Sequence, residues 1–283
     1  MRIGYSLWGM PHVPIQESLP ALADMGYQGV ELSVRQGWNT ELSALDAAYR
    51  ARIARTLEET GMVLTAVAAH QPLCDLDESV AEASMTYLRA SMDLAAELAQ
   101  PGEPPIVVSL VGGTPDEWDD RKELLASRIA ALGDDAKAKG VIFAVEPHSG
   151  TALDLPDKTT WLLDTVAHPA VKLNFDISHM DVMDIGIDEC VPVMAPYAVH
   201  THVKDQRGLW PEHEFMTPGE GPFDFEHYLQ AMGAAGYTGF IVAEVSVMVQ
   251  RREDYDPMAH AQLAYDRLER AFQATGVPWD KTS

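Results

Sequence analysis

Eight times along this chain a short run of apolar and β-branched residues gives way to a helical stretch, with no composition break between units. The strand-like runs are Arg2–Trp8, Gly29–Ser33, Met62–Ala69, Ile106–Val111, Val141–Glu146, Val171–Asp176, Ala198–Val203 and Gly239–Glu244. Between and after them lie helical patterns at Ile15–Met25, Ser43–Thr60, Asp77–Ala99, Asp116–Lys139, around Thr159–Ala167, near Cys190–Ala195, and at Phe225–Ala235 and Met258–Thr275. Such alternation calls for parallel strands, because each helix carries the chain back to the same edge of the sheet. Eight units in about 250 residues predict an α/β chain closed into a (β/α)8 barrel, the TIM barrel, as one domain over residues 1–283. A doubly wound open sheet is the alternative. The lack of a Gly-x-Gly-x-x-Gly turn after the first run counts against it.

The barrel reading says where to look for chemistry, since such barrels carry their sites at the C-terminal strand ends. The residues there are Trp8, Glu31, His70, Ser109, Glu146, Asp176, His202 and Glu244, mostly ionisable or hydroxylic. Four consecutive runs end alike: Val145 leads into Glu146, Phe175 into Asp176, Thr201 into His202 and Ala243 into Glu244. If these strands are neighbours, three carboxylates and one imidazole converge on one divalent cation. Such an oxygen-rich set favours Mn²⁺, Mg²⁺ or Co²⁺, with Zn²⁺ also able to bind.

Composition narrows the partners. The chain of 283 residues carries 43 acidic and 20 basic side chains, a formal charge of −23, which argues against nucleic acid and anionic membranes. No apolar run approaches the ~20 residues of a membrane span. The first strand begins at Arg2, so no signal peptide is expected. Two cysteines, Cys74 and Cys190, supply no zinc spacing and no disulfide framework, which fits a reducing cytoplasm.

Five motifs carry a resemblance: Val145-Glu146-Pro147-His148, Asn174-Phe175-Asp176-Ile177-Ser178-His179, His200-Thr201-His202-Val203-Lys204-Asp205, Pro218 to Asp224, and Ala243-Glu244-Val245. In this order and spacing the chain resembles the sugar phosphate isomerase/epimerase family, the xylose-isomerase-like barrels. That family includes ketose 3-epimerases, inosose dehydratase, hydroxypyruvate isomerase and endonuclease IV. The motifs lie mainly in the second half of the chain. The resemblance implies one metal held by Glu146, Asp176, His202 and Glu244, and isomerase or epimerase chemistry through a metal-stabilised enediolate. It implies that Glu146 and Glu244 move the proton next to the carbonyl, one on each face of the sugar. It also implies that His179, in the Asp-x-x-His pattern, touches a substrate oxygen.

Further candidates come from position. His148 stands two residues past Glu146 and is a candidate general base, alongside a plain loop role. Relatives that cleave oxidised C-glycosides use a histidine in such a place, which keeps a lyase reading open. His200 is expected behind His202, one layer deeper. Lys204, Arg207, Glu31, His70 and Trp8 are candidate substrate contacts, and the stretch after His202 reads as a long polar loop. Endonuclease IV is set aside: Ser109 stands where that enzyme has a histidine, and the Asp-x-His pair is missing before Gly219. The expected substrate is a small sugar or sugar-derived ketone. The expected assembly is a homo-oligomer, with a small partner subunit a further option for the lyase. A barrel kept only for sugar binding is the non-enzymatic alternative.

Overall fold

A computed structural model describes residues 1–280; Lys281, Thr282 and Ser283, the end of the expected 1–283 span, lie outside the described residues. Eight parallel strands close a barrel. They are β1 (Arg2–Ser6), β2 (Gly29–Ser33), β3 (Val63–Ala68), β4 (Ile106–Leu110), β5 (Ile142–Glu146), β6 (Val171–Asp176), β7 (Ala198–Val203) and, last along the chain, β10 (Phe240–Ala243). Each pairs with the next in the sequence, and the pairing of β1 with β10 closes the ring. The remaining strands, β8 (Asp205–Arg207) and β9 (Glu214–Met216), form an antiparallel ribbon over the end of β7. The expected long polar loop is therefore partly ordered. Its strands are three residues each, too short to show an alternating pattern.

The outer helices follow the expected order: α1 (Ile15–Met25), α2 (Ala47–Thr60), α3 (Glu78–Glu97), α4 (Trp118–Lys139), α5 (Pro156–Val166), the short α6 (Ile177–Asp181), α7 (Ile187–Met194), α8 (Phe225–Ala234), the short α9 (Val247–Gln250) and α10 (Pro257–Thr275). Helix starts are set by aspartates. Asp77, Asp224 and Asp256 accept backbone N–H groups of the first turns of α3, α8 and α10. Helix ends at Gly26 and Gly140 adopt left-handed backbone, which glycine takes without a Cβ penalty. The start of α2 falls four residues later than expected, because Leu42–Ala44 forms a separate 3-10 turn and Asp46 caps the helix.

Apolar faces of the helices and the outward residues of the strands make one large core, in which Ile3, Tyr5, Leu22, Phe143, Phe175, Tyr228 and Phe272 are almost wholly buried. A smaller apolar cluster of Ala66, Ile106, Val108 and Ala144 sits apart from it. Register decides where the polar strand ends fall. Asp176 pairs with His202, Leu110 with Glu146, and Val242 with His202. Glu146, Asp176, His202 and Glu244 therefore end up side by side around one arc of the rim. Among the described residues, no helix is long and apolar enough to cross a membrane.

Candidate metal centre

Glu146, Asp176, His202 and Glu244 each bring one ligand atom within 4.8 Å of the others, and all four are buried. Each stands where its strand leaves the packed barrel, so backbone pairing fixes the four Cα positions before any side chain is considered. His202 Nδ1 lies 3.2 Å from both Glu146 Oε1 and Glu244 Oε2. Lys204 completes the cluster. Its ammonium donates to Asp176 Oδ2 and stands 2.9 Å from Glu244 Oε1. Three carboxylates and an imidazole at this spacing can hold a divalent cation, which would share with Lys204 the compensation of the buried negative charge.

The electrostatics follow from the crowding. Burial alone would raise the Glu146 carboxyl, but His202, His70 and Lys204 hold it well below its ordinary range. Burial would lower His202, yet Glu31, Glu244 and Glu146 raise it well above the usual imidazole value. Burial would likewise lower Lys204, and Asp176, then Glu244 and Glu146, push it up instead.

Behind the cluster the structure departs from expectation at Glu31. Expected to touch substrate, it is fully buried at the end of β2, with both oxygens taken. Ser6 Oγ donates to Oε1 at 2.5 Å, and His202 Nε2 donates to Oε2 at 2.8 Å. Burial raises this carboxyl, but His202, His200 and Ser6 outweigh it and hold it at about 2. A carboxylate on the far nitrogen turns the near nitrogen, Nδ1, toward the cluster. Deeper still, Asn174 Oδ1 accepts from His200 Nδ1 at 2.9 Å, and its Nδ2 stands 3.1 Å from His202 Nδ1. His200 crosses the barrel to Thr65 Oγ1 at 3.1 Å and stays in the layer below, as expected. Sequence reasoning missed Ser6, Asn174 and Thr65. Asn174 offered one signal, its place two residues before Asp176 on β6, whereas Ser6 and Thr65 stand on strands that carry none of the four cluster residues.

Two histidines line one flank. The rings of His148 and His179 lie 3.7 Å apart. His148 Nδ1 donates to the Ser149 carbonyl at 2.8 Å, which leaves Nε2 as the lone-pair nitrogen. Burial lowers the His148 imidazole despite the pull of Glu146. His179 sits in α6, whose start is fixed by Asp176 Oδ1 accepting from Ser178 N at 3.0 Å. Its Nδ1 meets Ser149 Oγ at 3.0 Å and its Nε2 lies 3.4 Å from Asp176 Oδ2. Burial, then His148 and Lys204, keep it well below the usual imidazole range. Phe215 of β9 stands edge-on to His179 at 5.0 Å, so the ribbon walls this flank.

On the opposite flank His70 Nδ1 lies 3.7 Å from Glu146 Oε2 and accepts from Leu110 N at 3.2 Å. Trp8 packs against His70 with ring centroids 5.3 Å apart, and both line a cavity of about 570 Å³. Arg207, a candidate substrate contact, lies on the β8–β9 ribbon. It is two-thirds exposed and spans the ribbon to Glu214, at 2.6 and 2.9 Å, because the antiparallel register sets those two residues opposite each other. The Pro218–Asp224 stretch is organised by Asp205, wholly buried, whose oxygens accept from Gly219 N and Phe223 N at 2.9 Å each. A Cβ on Gly221 would come within 2.5 Å of Asp205 Oδ1, so glycine is required there.

Comparison with known proteins adds lineage to geometry. The chain resembles inosose dehydratase of Salmonella agona (strain SL483), 27% identical over 166 residues, 52% of this chain and 53% of that protein. It thus spans about half the length of the curated relatives it matches first. Among solved structures it superposes on D-psicose 3-epimerase with D-tagatose from Clostridium cellulolyticum H10, with a TM-score of 0.79 and 15% identity, covering 97% of this chain and 99% of that one. It also superposes on the IolI protein with a bound zinc atom, with a TM-score of 0.78 and 17% identity, covering 98% of each chain. At such identities the structures speak to fold alone. The model of the xylose isomerase-like TIM barrel family matches residues 19–268, and the chain belongs to that family.

Proposed function

We propose that this protein is a metal-dependent enzyme that moves a proton on the carbon beside the carbonyl of a sugar or sugar-derived ketone, with epimerisation or isomerisation as the outcome. The observation that carries the reading is the buried cluster of Glu146, Asp176, His202 and Glu244. A divalent cation held there would act as a Lewis acid toward the carbonyl oxygen and an adjacent hydroxyl. Mn²⁺ is the first choice on donor chemistry, with Mg²⁺, Co²⁺ and Zn²⁺ as alternatives. Zinc in the IolI structure, and magnesium in a barrel from Mycobacterium smegmatis, support a cation of this class.

The residues divide the work. Glu146 at the end of β5 and Glu244 after β10 reach His202 from opposite directions around the barrel rim, so a ketone seated between them meets a carboxylate on each face: one takes the proton and the other returns it. Lys204 offsets the charge of Asp176 and Glu244 and offers N–H donors toward negative charge growing on oxygen. His179 holds a substrate hydroxyl, and His70 and Trp8 hold the far side of the ring. Glu31 is a positioning residue that acts through His202.

A lyase outcome is the second reading, favoured by His148. Its Nε2 carries a free lone pair next to the cluster, which gives the site a base beyond the two glutamates. With that base an abstracted proton is followed by expulsion of a β-substituent, as the inosose dehydratase relatives would require.

The test is purified protein loaded with Mn²⁺ and incubated with ketoses and inososes in D₂O, read by NMR. Deuterium at the carbon beside the carbonyl is expected, with E146Q and E244Q each lowering the rate by about 10²–10⁴-fold. Metal bound at far below one ion per chain, with no exchange, sinks the reading. Loss of water with H148A inactive selects the lyase.

A further inference from the structure

Trp210, in the turn that joins β8 to β9, is 43% exposed, more than an indole usually tolerates unless its covered face is in use. That face lies on Gly150. A Cβ there would come within 2.4 Å of the indole Cη2 and 2.7 Å of Cζ2, so only glycine lets the ring seat. The turn that holds Gly150 also carries the groups on which the histidine flank depends. Thr151 N and Thr151 Oγ1 close it by donating to the His148 carbonyl, at 3.0 and 2.8 Å. Ser149 accepts from His148 Nδ1 with its carbonyl and meets His179 Nδ1 with its hydroxyl.

A second tie runs to α6. Trp210 N donates to the Val182 carbonyl at 2.8 Å, and Val182 ends the helix that carries His179. A third runs back through rings. Trp210 meets His213 with centroids 5.5 Å apart, His213 meets Phe215 at 4.6 Å, and Phe215 meets His179 at 5.0 Å. The circuit closes on itself, from the turn to the ribbon to α6 and back through Ser149. These ties go to the two histidines and not to the carboxylates of the metal centre.

We propose that Trp210 is a positioning residue: seated on Gly150 and tied to α6, it fixes the 3.7 Å spacing of the His148 and His179 rings beside the metal centre. The inference deepens the function proposed above and rests on it for the chemistry those two histidines serve.

The experiment uses the full chain loaded with Mn²⁺. Proton–carbon NMR of the imidazoles, with His148 and His179 assigned through H148Q and H179Q, reports their geometry without any substrate. W210A is expected to move both sets of resonances, and W210F to keep them near their wild-type places, while Mn²⁺ binds as tightly as before in calorimetry. In the deuterium-exchange assay W210A should lower kcat by about 10–100-fold with KM little changed, the loss that a displacement near 1 Å brings. G150A intrudes on the same seat, so W210A/G150A should lose no more rate than the worse single variant. W210L, which keeps an apolar side chain but no ring, is read in the same way if W210A does not fold. Imidazole resonances unmoved in the W210 variants, or losses that multiply in the double variant, overturn the proposal. A wild-type protein that exchanges no deuterium would defeat the enzymatic reading alone, because the spectra still decide the role of Trp210.

Discussion

Glu31 shows how far a side chain's role depends on partners it cannot announce. Its position at a strand end is readable, and by that rule it belongs at the substrate. Ser6 on the neighbouring strand and His202 from across the barrel take both of its oxygens instead. A carboxylate that orients a metal-ligating histidine is commonly worth ten- to a hundred-fold in metal affinity. E31Q should therefore weaken Mn²⁺ binding by about that factor in calorimetry while leaving Glu146, Asp176 and Glu244 in place. An unchanged dissociation constant would remove Glu31 from the positioning role. The four residues of the cluster were legible because an ionisable group ends an apolar run in each case, a purely local signal. Ser6, Asn174 and Thr65 were not, because their polarity matters only through neighbours on other strands. The pairing of Arg207 with Glu214 was not legible either, because it depends on the register of a ribbon that joins residues seven apart.

At the scale of elements, strands and helices followed from period and punctuation: apolar runs, aspartate caps and glycine stops. What escaped was the β8–β9 ribbon, whose three-residue strands are too short to show alternation. Its base is held by Asp205 rather than by apolar packing alone. Two backbone N–H groups donate to that buried carboxylate, and hydrogen bonds to a charged group contribute about 1.5–3 kcal/mol each. D205A should cost about 3–6 kcal/mol in urea unfolding and should loosen the ribbon that carries Phe215 against His179. A loss below about 0.5 kcal/mol would mean that the loop holds itself. The glycine at 221 belongs to the same device, since the carboxylate approaches where a side chain would stand.

For the whole molecule, the excess of 23 negative charges makes cations the favoured company, and the centre concentrates that preference where water is excluded. A cation that binds only the folded chain stabilises it by about 2.7 kcal/mol at a hundred times its dissociation constant. Calorimetric melting should move upward with Mn²⁺ at that level and return with a chelator; indifference to both would argue against a resident metal. The four donors belong to β5, β6, β7 and the end of β10, while the seam between β1 and β10 joins the two extremities of the polypeptide. Recognition of the ion is thus postponed until the last hairpin-free crossover has docked. Without the segment that carries Glu244 the barrel would offer three teeth of a four-toothed clamp, so capture of the proposed ion would report that β10 has joined the barrel.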